Sequence, residues 1–238
     1  MSLLLAIEGA DGAGKATAAE NVRAALDARG YAAAVISFPR YRDTVGGMVL
    51  GDFLAGRMRV HVSVKAAAVL YGLDRLESVP FVAEAAARND ILIFDRYIAS
   101  NMAYQASKVA PNEAAEMMGW IFRLETEMFG VLPPDLSIYL DTPLDEARRL
   151  MLLKARRSYT DEAFDQYEAD TALQAAVRQN YAEMTRSGLA GPWRVVQTKA
   201  DDVLRPPLQI ADEITDHVAR LAADRGLTPM SRAATART

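Results

Sequence analysis

Short apolar runs alternate along the chain with longer stretches whose apolar residues recur at helical spacing. Leu3 to Ile7, Ala33 to Phe38, Ile91 to Phe94, Leu136 to Leu140 and Arg194 to Gln197 read as strands buried in a parallel sheet. Helical patterns cover about 15–29, 44–55, 62–87, 97–129, 143–157, 166–187 and 206–223, some of them broken into two. Alternation of this kind predicts an α/β fold: a doubly wound, five-stranded parallel sheet with helices on both faces. Pro133-Pro134 should end a helix before the fourth strand, and Pro206-Pro207 should start the last helix. The end of the chain, rich in Ala, Arg, Ser and Thr, has little to bury, so one domain is expected over 1–223, with a mobile tail over 224–238. Sheets of this type bind ligands at the carboxyl ends of their strands, and the informative residues fall there, after strands one, two and three.

The first strand runs into IEGADGAGKAT, Ile7 to Thr17, a glycine-rich loop followed by a lysine where a helix should begin. Gly9, Gly12 and Gly14 can adopt backbone angles closed to other residues, so successive N–H groups can face phosphate oxygens. The helix adds its positive end, and Lys15 a flexible point charge for the β- and γ-phosphates. Loop residues Gly9, Ala10, Asp11, Gly12, Ala13 and Gly14, with Lys15, Ala16 and Thr17, therefore form an expected phosphate site. The strict pattern has Ser or Thr after the lysine to hold Mg²⁺; this chain has Ala16, with Thr17 one place on.

After the second strand, Pro39 restricts Phe38 to an extended conformation, so that Phe38-Pro39-Arg40-Tyr41 leaves the sheet with an exposed aromatic, suited to base or sugar packing or to anchoring a loop. Tyr71 and Arg75 sit late in a long apolar helix, where an arginine is either a solvated face charge, the commoner case, or a group turned into a pocket. The third strand delivers Asp95-Arg96-Tyr97, with Ser100, Asn101 and Tyr104 following at helical spacing. Asp95 could hold a Mg²⁺-bound water or cap the next helix, and Arg96 has the planar fork that bridges phosphoryl groups. Asn101 and Tyr104, three apart, share a helix face and could meet a base edge and a sugar. Arg148, Arg149, Lys154, Arg156 and Arg157 gather around an apolar run and form either a solvated helix face or a lid over about 148–164. Asp165-Gln166-Tyr167-Glu168 puts acids into the first turn of the next helix, which capping alone would explain.

Composition narrows the chemistry. A net charge of -4 argues against a surface that coats nucleic acid. The absence of cysteine removes disulfides, thiolate metal sites and a cysteine nucleophile. Only His61 and His217 are present, neither beside a motif, which disfavours a histidine-dependent hydrolase. No segment reaches membrane-spanning length and no basic and apolar leader opens the chain, so a cytoplasmic location is expected. Phosphoryl transfer onto a monophosphate needs no general base, because the accepting oxygen is already anionic at neutral pH.

Taken in order, EGADGAGK, FPRY, Leu73-Asp74-Arg75, DRYIASNMAY and DQYE resemble the thymidylate kinase family over about residues 3–200. The resemblance implies a single-domain fold of the P-loop NTPase type with a lid, transferring the ATP γ-phosphoryl group to dTMP to give dTDP and ADP, with Mg²⁺, as a homodimer. It implies that Lys15 and the loop hold ATP, that Asp11 meets the dTMP sugar hydroxyl, and that Phe38, Pro39 and Tyr41 line the acceptor pocket. Tyr71 would stack on the thymine ring, Arg75 and Asn101 would read its edge, with Ser100 beside them, and Tyr104 would crowd out a ribose 2′-hydroxyl. Arg96 would bridge the two phosphates, while Tyr167 and Glu168 would lie near the sugar and the metal. Gly12 stands where some relatives carry an arginine, which implies catalytic arginines from the lid, Arg149, Arg156 or Arg157. Metal ligation would fall to Asp11, Asp95 and Glu168. Two alternatives remain open: another deoxynucleotide acceptor such as dUMP, or a nucleotide-binding module that has lost catalysis through Ala16.

Overall fold

The computed structural model describes residues 2–157 and 171–229, the stretch 152–157 by its backbone alone. Strands β1 (Leu3–Glu8), β2 (Ala33–Ser37), β3 (Ile91–Asp95), β4 (Leu136–Asp141) and β5 (Trp193–Gln197) form a parallel sheet in the order β2-β3-β1-β4-β5. Every residue of β1 is buried, as a central strand covered on both faces requires. Its side chains alternate between two cores. Leu4 and Ala6 join Leu92, Phe94 and Tyr139 on one face, while Leu3, Leu5 and Ile7 join Ile91, Ile93, Ile138 and Leu140 on the other.

The second face is covered by α1 (Lys15–Ala28) and α9 (Pro207–Asp224). The first carries α5 (Ile98–Ala106), α6 (Ala114–Arg123) and α8 (Thr171–Ser187), together with α3 (Val64–Glu77) and α4 (Val79–Arg88), whose Ala68, Val82 and Ala85 join the same core, while α2 (Val45–Leu54) packs on α3. The connection from β1 runs to one side of the sheet and that from β4, through α7 (Leu144–Arg157), to the other. The crevice between the carboxyl ends of β1 and β4 is thus a topological switch point.

Helical pattern 62–87 divides at Ser78, which caps α3 and begins α4, with Pro80 in the first turn. Pattern 97–129 divides into α5, α6 and a π-helical turn at Leu124–Met128. A small antiparallel hairpin, β6 (Lys199–Ala200) with β7 (Val203–Leu204), was not foreseen because its strands are too short to carry a period. The chain stays packed past α9: Arg225 pairs with Asp135 at 2.6 Å, and Leu227 lies against the second core. Residues 158–164 of the expected lid and 230–238 of the expected tail lie outside the described residues.

Candidate active site

Gly9 to Gly14 leave β1 and turn into α1, with φ of 77° at Gly12 and 88° at Gly14. The buried Lys15 Nζ donates to the carbonyls of Gly9, at 3.0 Å, and Ala10, at 2.8 Å, so the lysine lies folded across its own loop. Burial and the nearby Arg96 guanidinium lower its pKa to about 8, against the opposing pull of Asp11, Asp95 and Glu8. A Cβ at Gly12 would lie 2.2 Å from the Ala147 carbonyl oxygen and 2.9 Å from Met151 Cγ. Helix α7 therefore occupies the space that an arginine side chain at position 12 would need. Ala16 and Thr17 are exposed on the first turn of α1.

Asp11 is the hub of the loop. Its carboxylate pairs with Arg96 and accepts from Gln174 Nε2 at 2.9 Å, while its N–H donates to Gln174 Oε1 at 3.1 Å. Burial alone would raise the pKa of Asp11, but the charges of Arg96 and Lys15 outweigh it and hold the carboxyl well below the usual carboxylate range. The guanidinium of Arg96 lies 5.4 Å from the centre of the Tyr104 ring. Tyr104 is pushed well above its usual range by burial, with its hydroxyl facing the Arg96 guanidinium and the Asp11 carboxylate.

Beside this hub opens a cavity of about 250 Å³. Ten of the eleven residues expected at the acceptor pocket line it: Asp11, Phe38, Pro39, Tyr41, Tyr71, Arg75, Arg96, Ser100, Asn101 and Tyr104. The eleventh, Tyr167, lies outside the described residues, as does Glu168. Two surroundings differ from expectation. Phe38 is buried, 4% exposed, packed against Phe94 and Tyr97 with ring centroids 6.0 and 5.8 Å apart, because Phe94 and Tyr97 stack and leave a apolar slot beside them. The peptide bond from Phe38 to Pro39 is cis. Arg75 is not a solvated face charge: it is buried and forms a double ion pair with the buried Glu125, one N–O distance being 2.6 Å.

Glu125, which sequence reasoning missed, sits in the π-helical turn and also accepts from Asn101 Nδ2 at 2.8 Å. Asn101 Nδ2 donates to Ala68 O as well, at 3.0 Å, which leaves Asn101 Oδ1 buried without a partner among the described residues. Gln105, fully buried one turn on, likewise has an unpartnered Nε2. The loop after β2 is held by Asp74, whose carboxylate accepts from the Arg40 N–H at 3.0 Å and from the Thr44 hydroxyl. Arg40 itself turns away, its guanidinium 3.9 Å over the Phe81 ring. Missed signals were faint: Glu125 and Gln105 occupy buried positions of apolar helices, and Gln174 only gains meaning once α8 is placed against the loop.

The remaining expected residues are not in the cavity lining. Arg149 is exposed and pairs with Glu146 at 2.8 Å, because its place on α7 points away from the face that meets Gly12. Arg156 falls where only the backbone is described. Asp95 is half-buried at the end of β3 and lies near enough to Lys15 to favour its charge. No group of three or more His, Asp or Glu suited to a metal occurs among the described residues. A half-buried carboxylate such as Asp95 beside a phosphate loop nevertheless fits a cation that keeps water and phosphate oxygens as most of its ligands.

Comparison with known proteins agrees with this geometry. The family model for thymidylate kinase matches residues 7–200. The thymidylate kinase of Mycobacterium tuberculosis (strain H37Rv) is 36% identical over 200 residues, 84% of this chain and 93% of the relative. That of Clavibacter michiganensis subsp. michiganensis is 32% identical over 231 residues, 93% of this chain and 96% of the relative. A third, from Thermomicrobium roseum, is 30% identical over 220 residues, 90% of this chain and 93% of the relative. With its phosphate loop, its acceptor cavity and these relatives, the chain belongs to the thymidylate kinase family, a family of nucleoside-monophosphate kinases.

Proposed function

We propose that the protein transfers the γ-phosphoryl group of ATP to dTMP, giving dTDP and ADP for dTTP synthesis. The observation that carries this reading is the set of buried polar atoms in the cavity that have no partner among the described residues. Asn101 Oδ1 is a buried acceptor and Gln105 Nε2 a buried donor, and Arg75 shares the lining with them. Thymine presents an N3–H donor between two carbonyl acceptors and complements this set. Cytosine presents an acceptor at N3 and would leave Asn101 Oδ1 unpaired, at a cost of about 1–3 kcal/mol.

Arg96 and Asp11 in the lining, with Lys15 close enough behind them to feel both charges, put charge where donor and acceptor phosphates would meet. Lys15 exchanges its loop carbonyls for phosphate oxygens, and Arg96 spans the transferring group, so catalysis rests on positioning and charge compensation. Lid residues Arg149 and Arg156 would add charge late, and Tyr167 would flank the sugar. Asp95, with Asp11 and Glu168, would hold Mg²⁺, which when bound neutralises charge on the β- and γ-phosphates. Tyr104 reaches toward the sugar, where its hydroxyl disfavours a 2′-hydroxyl.

The same reading includes a homodimer, supported by Val45 and Met48 on α2 and Val69 on α3, all exposed, and checked by sedimentation velocity. It places the enzyme in the cytoplasm with nucleotides as partners, without nucleic acid or membrane. Among the described residues no helix is long and apolar enough to cross a membrane. The test is ADP production from MgATP with dTMP, dUMP, UMP, dGMP and dCMP, beside a Lys15→Ala control. Turnover should be strongest with dTMP and lost in the control; ATP binding with no acceptor-stimulated turnover would overturn the reading.

A further inference from the structure

Glu8, the last residue of β1, plays no part in the reading above, yet it is a fully buried carboxylate next to the phosphate loop. Its Oε1 accepts from the Tyr97 N–H at 2.8 Å, and its Oε2 from the Ser100 hydroxyl at 2.6 Å and the Tyr181 hydroxyl at 2.9 Å. One side chain thus ties β1 to the residue that follows Arg96, to α5 and to α8.

The contact with Tyr97 bears on Arg96. Arg96 has φ of 66°, a left-handed conformation that side chains other than glycine rarely adopt. Its own N–H donates to Ile7 O at 3.1 Å, and the next N–H, that of Tyr97, goes to Glu8. Both peptide groups around the strained residue are therefore fixed by the last two residues of β1. A strained backbone persists only where its surroundings impose it. Here the consequence is that the guanidinium turns onto Asp11 and into the cavity instead of continuing along the strand direction.

We infer that Glu8 is a positioning residue for Arg96: by holding the Tyr97 N–H, its carboxylate keeps Arg96 in the left-handed conformation that aims the guanidinium at the transferring phosphoryl group. The inference rests on the proposed role of Arg96. A carboxylate present only to stabilise the fold would affect unfolding and leave the kinetics of the folded enzyme unchanged.

The experiment compares Glu8→Ala, Glu8→Gln, Glu8→Asp, Arg96→Gly and Glu8→Ala/Arg96→Gly, measuring kcat, KM for dTMP and ATP, and thermal unfolding. Glycine at 96 takes the left-handed angle without strain, so this variant removes the guanidinium alone. Glu8→Ala should lower kcat about 10- to 100-fold, more than it moves either KM. In the Arg96→Gly background the same change should cost less than about twofold, because the group it positions is gone. Glu8→Gln keeps an acceptor for the Tyr97 N–H and should stay within about fivefold of the parent, while Glu8→Asp keeps the charge but withdraws it and should fall further. If Glu8→Ala does not fold, that Gln-above-Asp order carries the test.

Wild-type kcat in Glu8→Ala, an equal loss in both backgrounds, or Glu8→Asp outperforming Glu8→Gln would each overturn the inference. Arg96→Gly with undiminished kcat would instead overturn the role of Arg96 itself, and the inference with it.

Discussion

Replacing Glu125 by alanine strands a buried cation. Arg75 and Glu125 side chains are 2% and 0% exposed, and the carboxylate takes two guanidinium N–H groups and one amide N–H of Asn101. Removing one partner of such a pair costs about 3–5 kcal/mol, mostly the price of an uncompensated buried charge. In a domain of this size each kcal/mol lowers Tm by about 2–4 °C, so Glu125→Ala should melt roughly 6–20 °C below the parent. The KM for dTMP should rise as well, because Arg75 and Asn101 both lose the anchor that aims them into the cavity.

A double variant separates charge from packing. Arg75→Met with Glu125→Leu removes both charges and keeps apolar volume, and should recover all but about 1–2 kcal/mol of stability. Its KM for dTMP should nonetheless stay high, since the base-reading guanidinium is absent. Thermal unfolding followed by circular dichroism and steady-state kinetics below the lowest melting temperature make the comparison. A Glu125→Ala melting temperature within about 2 °C of the parent would refute the stranded-charge argument. So would a double variant that melts as low as the single one.

Lys15, with a pKa lowered from 10.5 to about 8, should make kcat/KM for ATP fall as pH rises through about 8, a profile that Lys15→Arg should flatten. Because the folded state releases this proton first, the cost of burying the charge is present in full below pH 8 and is relieved between 8 and 10.5, so this group makes stability rise with pH there. Gly12→Ala should destabilise by more than about 2 kcal/mol, its Cβ being driven into α7, whereas Gly14→Ala should cost only the ~1–2 kcal/mol of its left-handed angle. Equal melting temperatures for the two variants would refute the contact. Tyr104→Phe should increase turnover of UMP relative to dUMP, read from kcat/KM for the two acceptors. Ala16→Ser should lower the Mg²⁺ concentration for half-maximal rate without changing kcat at saturating Mg²⁺, and an unchanged Mg²⁺ titration would remove position 16 from the metal site.

The strands were legible because each is a short apolar run that the sheet buries, and β1, β3 and β4 lie where those runs lie. The loop was legible because glycine and lysine at fixed spacing have few uses other than holding phosphate. Arg75 was not, since an arginine in an apolar helix reads the same whether water or a carboxylate faces it. Its partner Glu125 lies 50 positions away in a π-helical turn, a local departure that no helical period announces. Phe38 misled for a related reason: Pro39 fixes how the chain leaves the strand, but burial of the ring depends on the Phe94 and Tyr97 pair, which only the sheet brings near. Gln174 and Glu8 share the limit, as polar residues whose role is set by partners 163 and 89 positions away.

The two ends of the cavity are prepared differently, and this should divide the work between the two nucleotides. At the phosphate end the charged groups already have internal partners: Lys15 bonds two loop carbonyls, and Asp11 bonds Arg96 and Gln174. Phosphate binding there is an exchange of one set of charge-assisted hydrogen bonds for another, and its net gain is small compared with the gross interaction. At the base end Asn101 Oδ1 and Gln105 Nε2 are buried and have no partner among the described residues. A base or sugar that satisfies such an atom recovers about 1–3 kcal/mol, and one that presents the wrong group forfeits it. Selection of the acceptor should therefore be concentrated in a helix face that is incomplete without it. The loop contributes more once both sets of phosphates are present and Arg96 can turn from Asp11 to the transferring group.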